Sequence, residues 1–114
     1  MKKKSVSFLL KSWSRRGLRQ KREALVTIDA EDLVRVNEYP WFLKYVYGEL
    51  NYIYTTVSRS GRIHVIKLGR FIYGEDKIPY RHDVGYVDGN PANNKKNNLA
   101  LFSTYNRQRA DFIR

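Results

Sequence analysis

The sequence predicts an α+β fold, in which a three-stranded antiparallel sheet with short helices is followed by a loop, a short strand and a polar helix. Residues 41–73 are dense in aromatic and β-branched residues, which favour strands. Residues 78–98 are rich in asparagine, glycine and proline, which favour turns. A chain of 114 residues suffices for one compact domain and not for two. We therefore divide it into a basic arm, residues 1–22, and a single domain, residues 23–114.

The arm is predicted to be helical. Its apolar residues recur at the spacing i, i+3, i+4, i+7, which places them on one face of a helix that stops near Gly17; they are Val6, Leu9, Leu10 and Trp13. This stripe would pack on the domain or bind a protein partner, and the basic face would contact phosphate groups or a membrane surface. An unfolded tail is the alternative, because short isolated helices are marginally stable in water.

The domain is expected to begin with a strand and a short helix. Residues 24–28 (ALVTI) are rich in strand-forming residues. Asp29 is the predicted N-cap of a helix over residues 30–37, with Asp32 completing a variant capping box. Pro40 ends this helix, because the residue before a proline avoids the helical region.

Three strands follow, over residues 41–46, 51–57 and 62–68. The turn Ser58–Gly61 between the second and third strands predicts a hairpin whose loop slightly exceeds two residues. Residues 68–73 are predicted to begin a helix that packs under the sheet.

The hairpin is expected to expose a polar face. Ile63 and Val65 are predicted to point inward, which leaves Arg62 and His64 outward. The neighbouring strand would present a second set of side chains on one face, namely Tyr52, Tyr54 and Thr56. An outward ribbon that carries arginine and tyrosine is suited to a DNA major groove.

The C-terminal third is predicted to be mostly loop. Residues 78–98 contain little that favours regular structure, and residues 99–102 form a short apolar strand. Ser103 or Thr104 would cap a closing basic helix over residues 105–113.

The charge predicts a polyanionic partner, most often nucleic acid, and we expect DNA more than RNA from the family resemblance described below. Residues 1–22 carry nine basic residues and no acid, residues 23–94 carry eight basic and ten acidic residues, and residues 95–114 carry five and one. The net charge of +11 therefore lies at both ends of the chain, which is typical of nucleic-acid binding. The side chains expected to contact nucleic acid are Lys2, Lys3, Lys4, Arg15, Arg16, Arg59, Arg62, Lys67, Arg70, Lys95, Lys96, Arg107 and Arg109.

Composition also excludes several classes of protein. The chain has no cysteine, which excludes disulfides and thiolate zinc sites. No apolar run approaches the roughly 20 residues that span a membrane. An intracellular location is expected, and an organelle-import role of the acid-free first 22 residues stays open.

Three blocks in the loop carry a family resemblance: Asp88-Gly89-Asn90-Pro91, Asn93-Asn94 and Asn98-Leu99. Their spacing resembles the motif D-H-x-[ND]-G-N-x-x-[ND]-N-x-x-x-N-L of the HNH homing-type endonucleases, which hold a cation in a ββα-metal finger. The segment IKLGRFIYG and the strands before it resemble the AP2-like, DNA-reading sheet upstream of such fingers. The resemblance covers about residues 24–109 and implies a sheet region (residues 23–77) and a finger-like region (residues 78–114).

The chain departs from this motif at the reacting positions. The resemblance implies a histidine base where Tyr86 stands and an acidic metal ligand where Gly85 stands. The family's upstream L-H-R reads Leu68-Gly69-Arg70, and a late ligand would fall at Thr104 or Asn106. A tyrosine is mostly protonated near pH 7, and Asp88 with amides alone would bind a divalent cation weakly.

Three functions follow from these residues. The leading one is an inactive, cofactor-free DNA-binding protein whose loop is a structural frame of Tyr86, Asp88, Asn90, Asn94 and Asn98. The second is an active endonuclease, with Mg²⁺ or Mn²⁺ at Asp88, in which a two-residue bulge brings His82 and Asp83 into the site as base and ligand. The third is a structural component of a ribonucleoprotein such as an organelle ribosome.

Overall fold

The computed structural model describes residues 4–13 and 21–104. Within them the fold is α+β, with two three-stranded sheets, one two-stranded sheet and short helices. The strands are β1 (Ser5–Trp13), β2 (Lys21–Asp29), β3 (Phe42–Val46), β4 (Glu49–Arg59), β5 (Arg62–Lys67), β6 (His82–Tyr86), β7 (Asn93–Asn94) and β8 (Leu99–Ser103). The helices are α1 (Leu33–Val36) and α2 (Leu68–Tyr73).

The predicted N-terminal helix is wrong, because this segment is a strand. β1 pairs with β2 in an antiparallel register. Side chains therefore alternate with a period of two: Val6 and Leu10 pack against the core, whereas Leu9 is 51% exposed on the opposite face. Trp13 ends β1. The expected apolar stripe is not formed, because the strand period separates Leu9 from Val6 and Leu10.

The structure describes Lys4 among the arm cations expected to contact nucleic acid. Lys4 is exposed at the start of β1, and its carbonyl accepts a hydrogen bond from the Ala30 backbone N–H (2.8 Å). The other arm cations expected to contact nucleic acid lie outside the described residues, namely Lys2, Lys3, Arg15 and Arg16.

The helix predicted after β2 is confirmed, with a 3₁₀ turn at Ala30–Asp32 that continues into α1. Asp29 occupies the predicted N-cap position of this turn, but neither Asp29 nor Asp32 makes a side-chain cap hydrogen bond, so the predicted capping box is not formed. The Asp29 carboxylate instead accepts a hydrogen bond from the Lys96 backbone N–H (2.9 Å), because the loop of residues 87–98 folds back onto β2.

The predicted three-stranded antiparallel sheet is confirmed, in the order β3-β4-β5. Arg59 pairs directly with Arg62, so the hairpin loop has two residues and not more. Ser60 and Gly61 both have positive φ (52° and 77°), as tight hairpin turns require.

The hairpin faces are the reverse of the prediction. Ile53 and Thr55 are buried and mark the inward side of β4, while fully buried Leu68 fixes the inward side where β5 ends. Counting back from Leu68, Ile63 and Val65 fall on the outward side and are 75% and 56% exposed. The alternation of side chains along a strand shows which residues share a face. Which of the two faces is buried follows from the position of Leu68 in the core.

Arg62 and His64 consequently lie on the inward face of β5. His64 pairs with Val57. Both Arg62 and His64 are nevertheless exposed, because this end of the hairpin extends beyond the core. The tyrosines 52 and 54 lie on the other, outward face, so arginine and tyrosine do not share a surface there.

One core joins the sheets. The predicted helix under the sheet is confirmed as α2, which buries Leu68 and Ile72 against Ile53 of β4. Val26 and Ile28 of β2 are fully buried in the same cluster. Within residues 4–13 and 21–104, no helix is both long and apolar enough to cross a membrane.

The segment predicted as loop contains two strands. β6 lies inside it and pairs with β8, whose position confirms the predicted strand at residues 99–102. β7 pairs in parallel with β2 through Thr27 and Ile28. The predicted closing helix, with Arg107 and Arg109, lies outside the described residues.

Candidate nucleic-acid interface

Tyr86, which stands where the resemblance implies a histidine base, ends β6 with its side chain half-buried. Its hydroxyl donates a hydrogen bond to Asn94 Oδ1 (3.0 Å). Burial raises the pKa of Tyr86 to about 12, and the negative charge of Asp83 adds to the rise, while a hydrogen bond with the Gly69 backbone opposes it. The phenol is therefore protonated at neutral pH and cannot accept a proton from water.

Gly69 makes room for this hydroxyl. A Cβ atom on residue 69 would lie 2.9 Å from the Tyr86 hydroxyl and 3.6 Å from Asn94 Oδ1. Two departures from the expected motif, glycine at position 69 and tyrosine at position 86, thus meet at one point of the structure.

Asp88 organises the asparagine loop. Its Oδ1 accepts hydrogen bonds from the Asn90 backbone N–H (2.8 Å) and Asn98 Nδ2 (2.9 Å), and its Oδ2 accepts one from Asn93 Nδ2 (2.9 Å). These bonds, first that from Asn93, lower the pKa of Asp88. The Asn98 side chain also accepts from the Asp88 backbone N–H (3.0 Å), so carboxylate and amides hold each other in place.

The side chains of this loop do not fit the divalent cation that the resemblance implies. A Mg²⁺ ion takes six oxygen ligands in octahedral geometry. Both oxygens of Asp88 already accept hydrogen bonds, and Asn94 Oδ1 accepts the Tyr86 hydroxyl. Gly85 supplies no side-chain oxygen. The loop is therefore closed by hydrogen bonds among its own side chains.

His82 and Asp83 lie at the far end of β6. The β6–β8 register runs without a shift from His82 to Tyr86, so the two-residue bulge expected for an active site is not formed. Four residues of extended strand separate the Cα atoms of His82 and Tyr86 by about 13 Å. His82 Nδ1 lies 2.9 Å from the Tyr80 carbonyl oxygen.

Asp83 is held by cations. Its Oδ1 accepts hydrogen bonds from Arg70 Nη1 (2.9 Å) and from the Val84 backbone N–H (2.8 Å), and its Oδ2 lies 3.8 Å from Lys67 Nζ. Arg70 also pairs with Glu75 (3.0 Å), and these contacts, first that with Glu75, raise the pKa of its guanidinium. Arg70 is thus committed to two carboxylates within the protein.

Lys96 is committed in the same way. Its ammonium lies 2.8 Å from Glu31 Oε1 and 3.2 Å from Asp32 Oδ1, at a cluster of three carboxylates that Asp29 completes. Arg35 also donates to Asp32 Oδ1 (2.9 Å). Lys96 therefore pairs with two carboxylates of this cluster. These ion pairs connect the asparagine loop to the segment after β2.

The remaining described cations are more accessible. Arg59 and Arg62 are exposed as a pair at the end of the β4–β5 hairpin. Lys67 lies on the outward sheet face, with Nζ 4.8 Å from the Tyr52 ring centroid, and Lys95 is half-buried beside the asparagine loop.

The outward face of the β3-β4-β5 sheet is rich in aromatic residues. Ring centroids lie 5.7 Å apart between Phe42 and Tyr54, and 5.7 Å apart between Tyr54 and Tyr52. Pairing and alternation assign nine positions to this face: Phe42, Lys44, Tyr52, Tyr54, Thr56, Ser58, Ile63, Val65 and Lys67.

Sequence reasoning missed the pairing partners of the cations. The acidic run at residues 29–32 is visible in the sequence, but nothing local links it to Lys96, 65 residues beyond Glu31. It also missed that Arg35 donates to the carbonyl oxygens of Phe71 (3.1 Å) and Ile72 (2.8 Å) at the end of α2. No protein-family model, curated protein or solved structure matches this chain.

Proposed function

We propose that this chain is a nucleic-acid-binding protein on a frame that resembles an HNH nuclease, and that it holds its ligand without cutting it. The observation that carries the proposal is the Tyr86 hydroxyl, partly buried and hydrogen-bonded to Asn94 where the motif places a base. Phosphodiester hydrolysis needs an activated water and a stabilised phosphate charge. A protonated phenol cannot activate the water, and the single carboxylate of Asp88, which already accepts three hydrogen bonds, offers little for a cation.

Binding is supported by the distribution of charge. The excess of basic residues lies in residues 1–22 and 95–114, and the accessible cations of the body include Arg59 and Arg62 on the hairpin. Phosphate contacts of this kind supply affinity and position the protein without reading sequence.

A plasmid-cleavage assay tests the absence of catalysis. Purified protein is incubated with supercoiled plasmid and Mg²⁺ or Mn²⁺, and we expect binding in a gel-shift assay without nicked or linear product. His82→Ala is the matched control for the alternative site. Metal-dependent nicking that His82→Ala abolishes would establish the active nuclease instead.

Salt dependence tests the electrostatic contribution of the arm. Deleting residues 1–22 is unsuitable, because β1 belongs to the core sheet. We instead replace five arm cations by glutamine: Lys2, Lys3, Lys4, Arg15 and Arg16. The log–log slope of affinity against salt should become shallower by about 0.7–0.9 per lost phosphate contact. An unchanged slope would show that the arm does not touch phosphate, and specific co-purification with ribosomal RNA and proteins would favour the ribonucleoprotein function.

A further inference from the structure

The outward face of the β3-β4-β5 sheet presents a continuous row of three aromatic rings. Tyr54 stands at its centre, 5.7 Å from Phe42 on one side and 5.7 Å from Tyr52 on the other. Phe42 is 41% exposed, and both tyrosines are half-buried. Ile63 and Val65 extend this apolar surface along the hairpin with most of their side-chain surface in water. An exposed apolar face of this kind marks an interaction site.

Positive charge borders the row. Lys44 is exposed and pairs across the strands with Tyr52, and the Lys67 ammonium lies 4.8 Å from the Tyr52 ring centroid. Neither aspartate nor glutamate occurs among the nine outward positions, and a carboxylate oxygen of Asp83 lies 3.8 Å from the Lys67 ammonium at the edge of the face. The surface therefore combines π-faces with cations and suits an anionic ligand that carries aromatic groups.

The aromatic row ends at a cavity. Tyr52 and Lys67 line it together with Asn51, Asp83 and Tyr86, and its volume is about 180 Å³. An apolar cavity of about 150 Å³ accommodates benzene, so this one has room for a single six-membered ring. Unlike that apolar cavity, it offers amide, carboxylate and ammonium groups to the polar edge of such a ring.

We propose that this face binds single-stranded nucleic acid, with unpaired bases stacked along Phe42, Tyr54 and Tyr52 and its phosphates near Lys44 and Lys67. The inference rests on the proposed nucleic-acid binding and specifies the form of the ligand. Arginine, asparagine and glutamine, which make bidentate contacts to base edges in a duplex major groove, are absent from the nine outward positions, although two lysines, Thr56 and Ser58 lie among them. Aromatic rings instead stack on unpaired bases of any sequence.

The experiment measures fluorescence anisotropy of labelled oligonucleotides with the full-length protein. The probes are 20-nucleotide oligo(dT), oligo(U) and a mixed-sequence duplex of equal length. We expect single strands to bind more tightly than duplex at equal salt. Tyr54→Leu should weaken single-strand binding by about 5- to 150-fold, since each stacked base contributes about 1–3 kcal/mol. The oligo(dT) and oligo(U) arms show whether the protein prefers single-stranded DNA or RNA.

Two controls separate stacking from folding. Tyr54→Phe keeps the ring and should bind like the parent protein, and Tyr47→Leu removes a fully exposed tyrosine from the β3–β4 turn, away from the row, and should also bind normally. Thermal melting of each variant checks that the fold persists. If folded Tyr54→Leu binds single strands as the parent does and the protein binds duplex tightly, the inference is overturned. The proposed function would still hold in that case. The aromatic face would then bind another partner, such as a protein. Failure to bind any of the three probes overturns both.

Discussion

The Tyr86 hydroxyl lies 2.9 Å from the point that a Cβ atom on residue 69 would occupy, and a side chain at position 69 therefore competes with the tyrosine. Gly69 sits in α2, where alanine would ordinarily be favoured over glycine by up to about 1 kcal/mol. We expect Gly69→Ala to be destabilising instead, by about 1–2 kcal/mol, because the Tyr86 hydroxyl would have to shift away from its hydrogen bond to Asn94. Urea unfolding measures the difference.

The control for this prediction is Gly69→Ala in a Tyr86→Phe background. This background lacks the tyrosine hydroxyl, so Gly69→Ala should lower the free energy of unfolding by less than it does in the parent protein. Tyr86→Phe alone should cost about 1–3 kcal/mol, because Asn94 Oδ1 is left buried without its donor. A stabilising Gly69→Ala in the parent protein would contradict the close fit.

Alkaline pH should reveal the buried phenol. The pKa of Tyr86 is raised from its ordinary value near 10 to about 12. A raised folded-state pKa gives a stabilisation that is fully present below pH 10 and is lost as the pH rises toward 12. We expect the parent protein to lose stability relative to Tyr86→Phe between pH 10 and pH 12 in urea unfolding. Parallel curves for the two proteins would show that Tyr86 is not buried.

Acid pH should reveal the Asp88 carboxylate. Its pKa is lowered, first by the hydrogen bond from Asn93, so its stabilisation is present above the ordinary value near 3.9 and is lost as the pH falls through the lowered value. Asp88→Asn should therefore reduce the melting temperature at pH 7, and the difference from the parent should shrink toward pH 2. The control is Glu38→Gln, an exposed residue, which should show a smaller difference at pH 7.

Lys96→Met should destabilise the protein, by about 1–2 kcal/mol, because Glu31 and buried Asp32 would lose a cation at 2.8 and 3.2 Å. Polynucleotide affinity should change little, since this ammonium is already paired within the protein. Lys77→Met, at an exposed lysine nearby, is the matched control for stability. A large loss of affinity in folded Lys96→Met would assign Lys96 to the interface after all.

The hairpin arginines should behave in the opposite way. Replacing Arg59 and Arg62 by glutamine should make the salt dependence of binding shallower and leave the melting temperature nearly unchanged, because both side chains are exposed. Arg70→Gln, which breaks ion pairs with Glu75 and Asp83, should lower the melting temperature and leave the slope unchanged. Reversed results would place the phosphate contacts on α2 and not on the hairpin.

Local chemistry predicted much of the fold. Strand-forming residues located β2 to β5 and β8, and Ser60–Gly61 located the hairpin turn, because both signals act within a few residues. The same reasoning failed at β1, where apolar positions fit a helical period and also alternate as a strand. Pairing with β2 decided between these periods, and that pairing is not visible in the segment itself.

The sequence by itself determined the charge at the two chain ends, the absence of a histidine at position 86 and the asparagine-rich loop. Only the tertiary structure decided which hairpin face meets solvent, because buried Leu68 sets the orientation of β5. It also decided which cations are available, since Lys96 and Arg70 meet carboxylates that lie up to 65 residues away. Side-chain pairing over such separations depends on how strands and loops pack together, and no local pattern of residues encodes it.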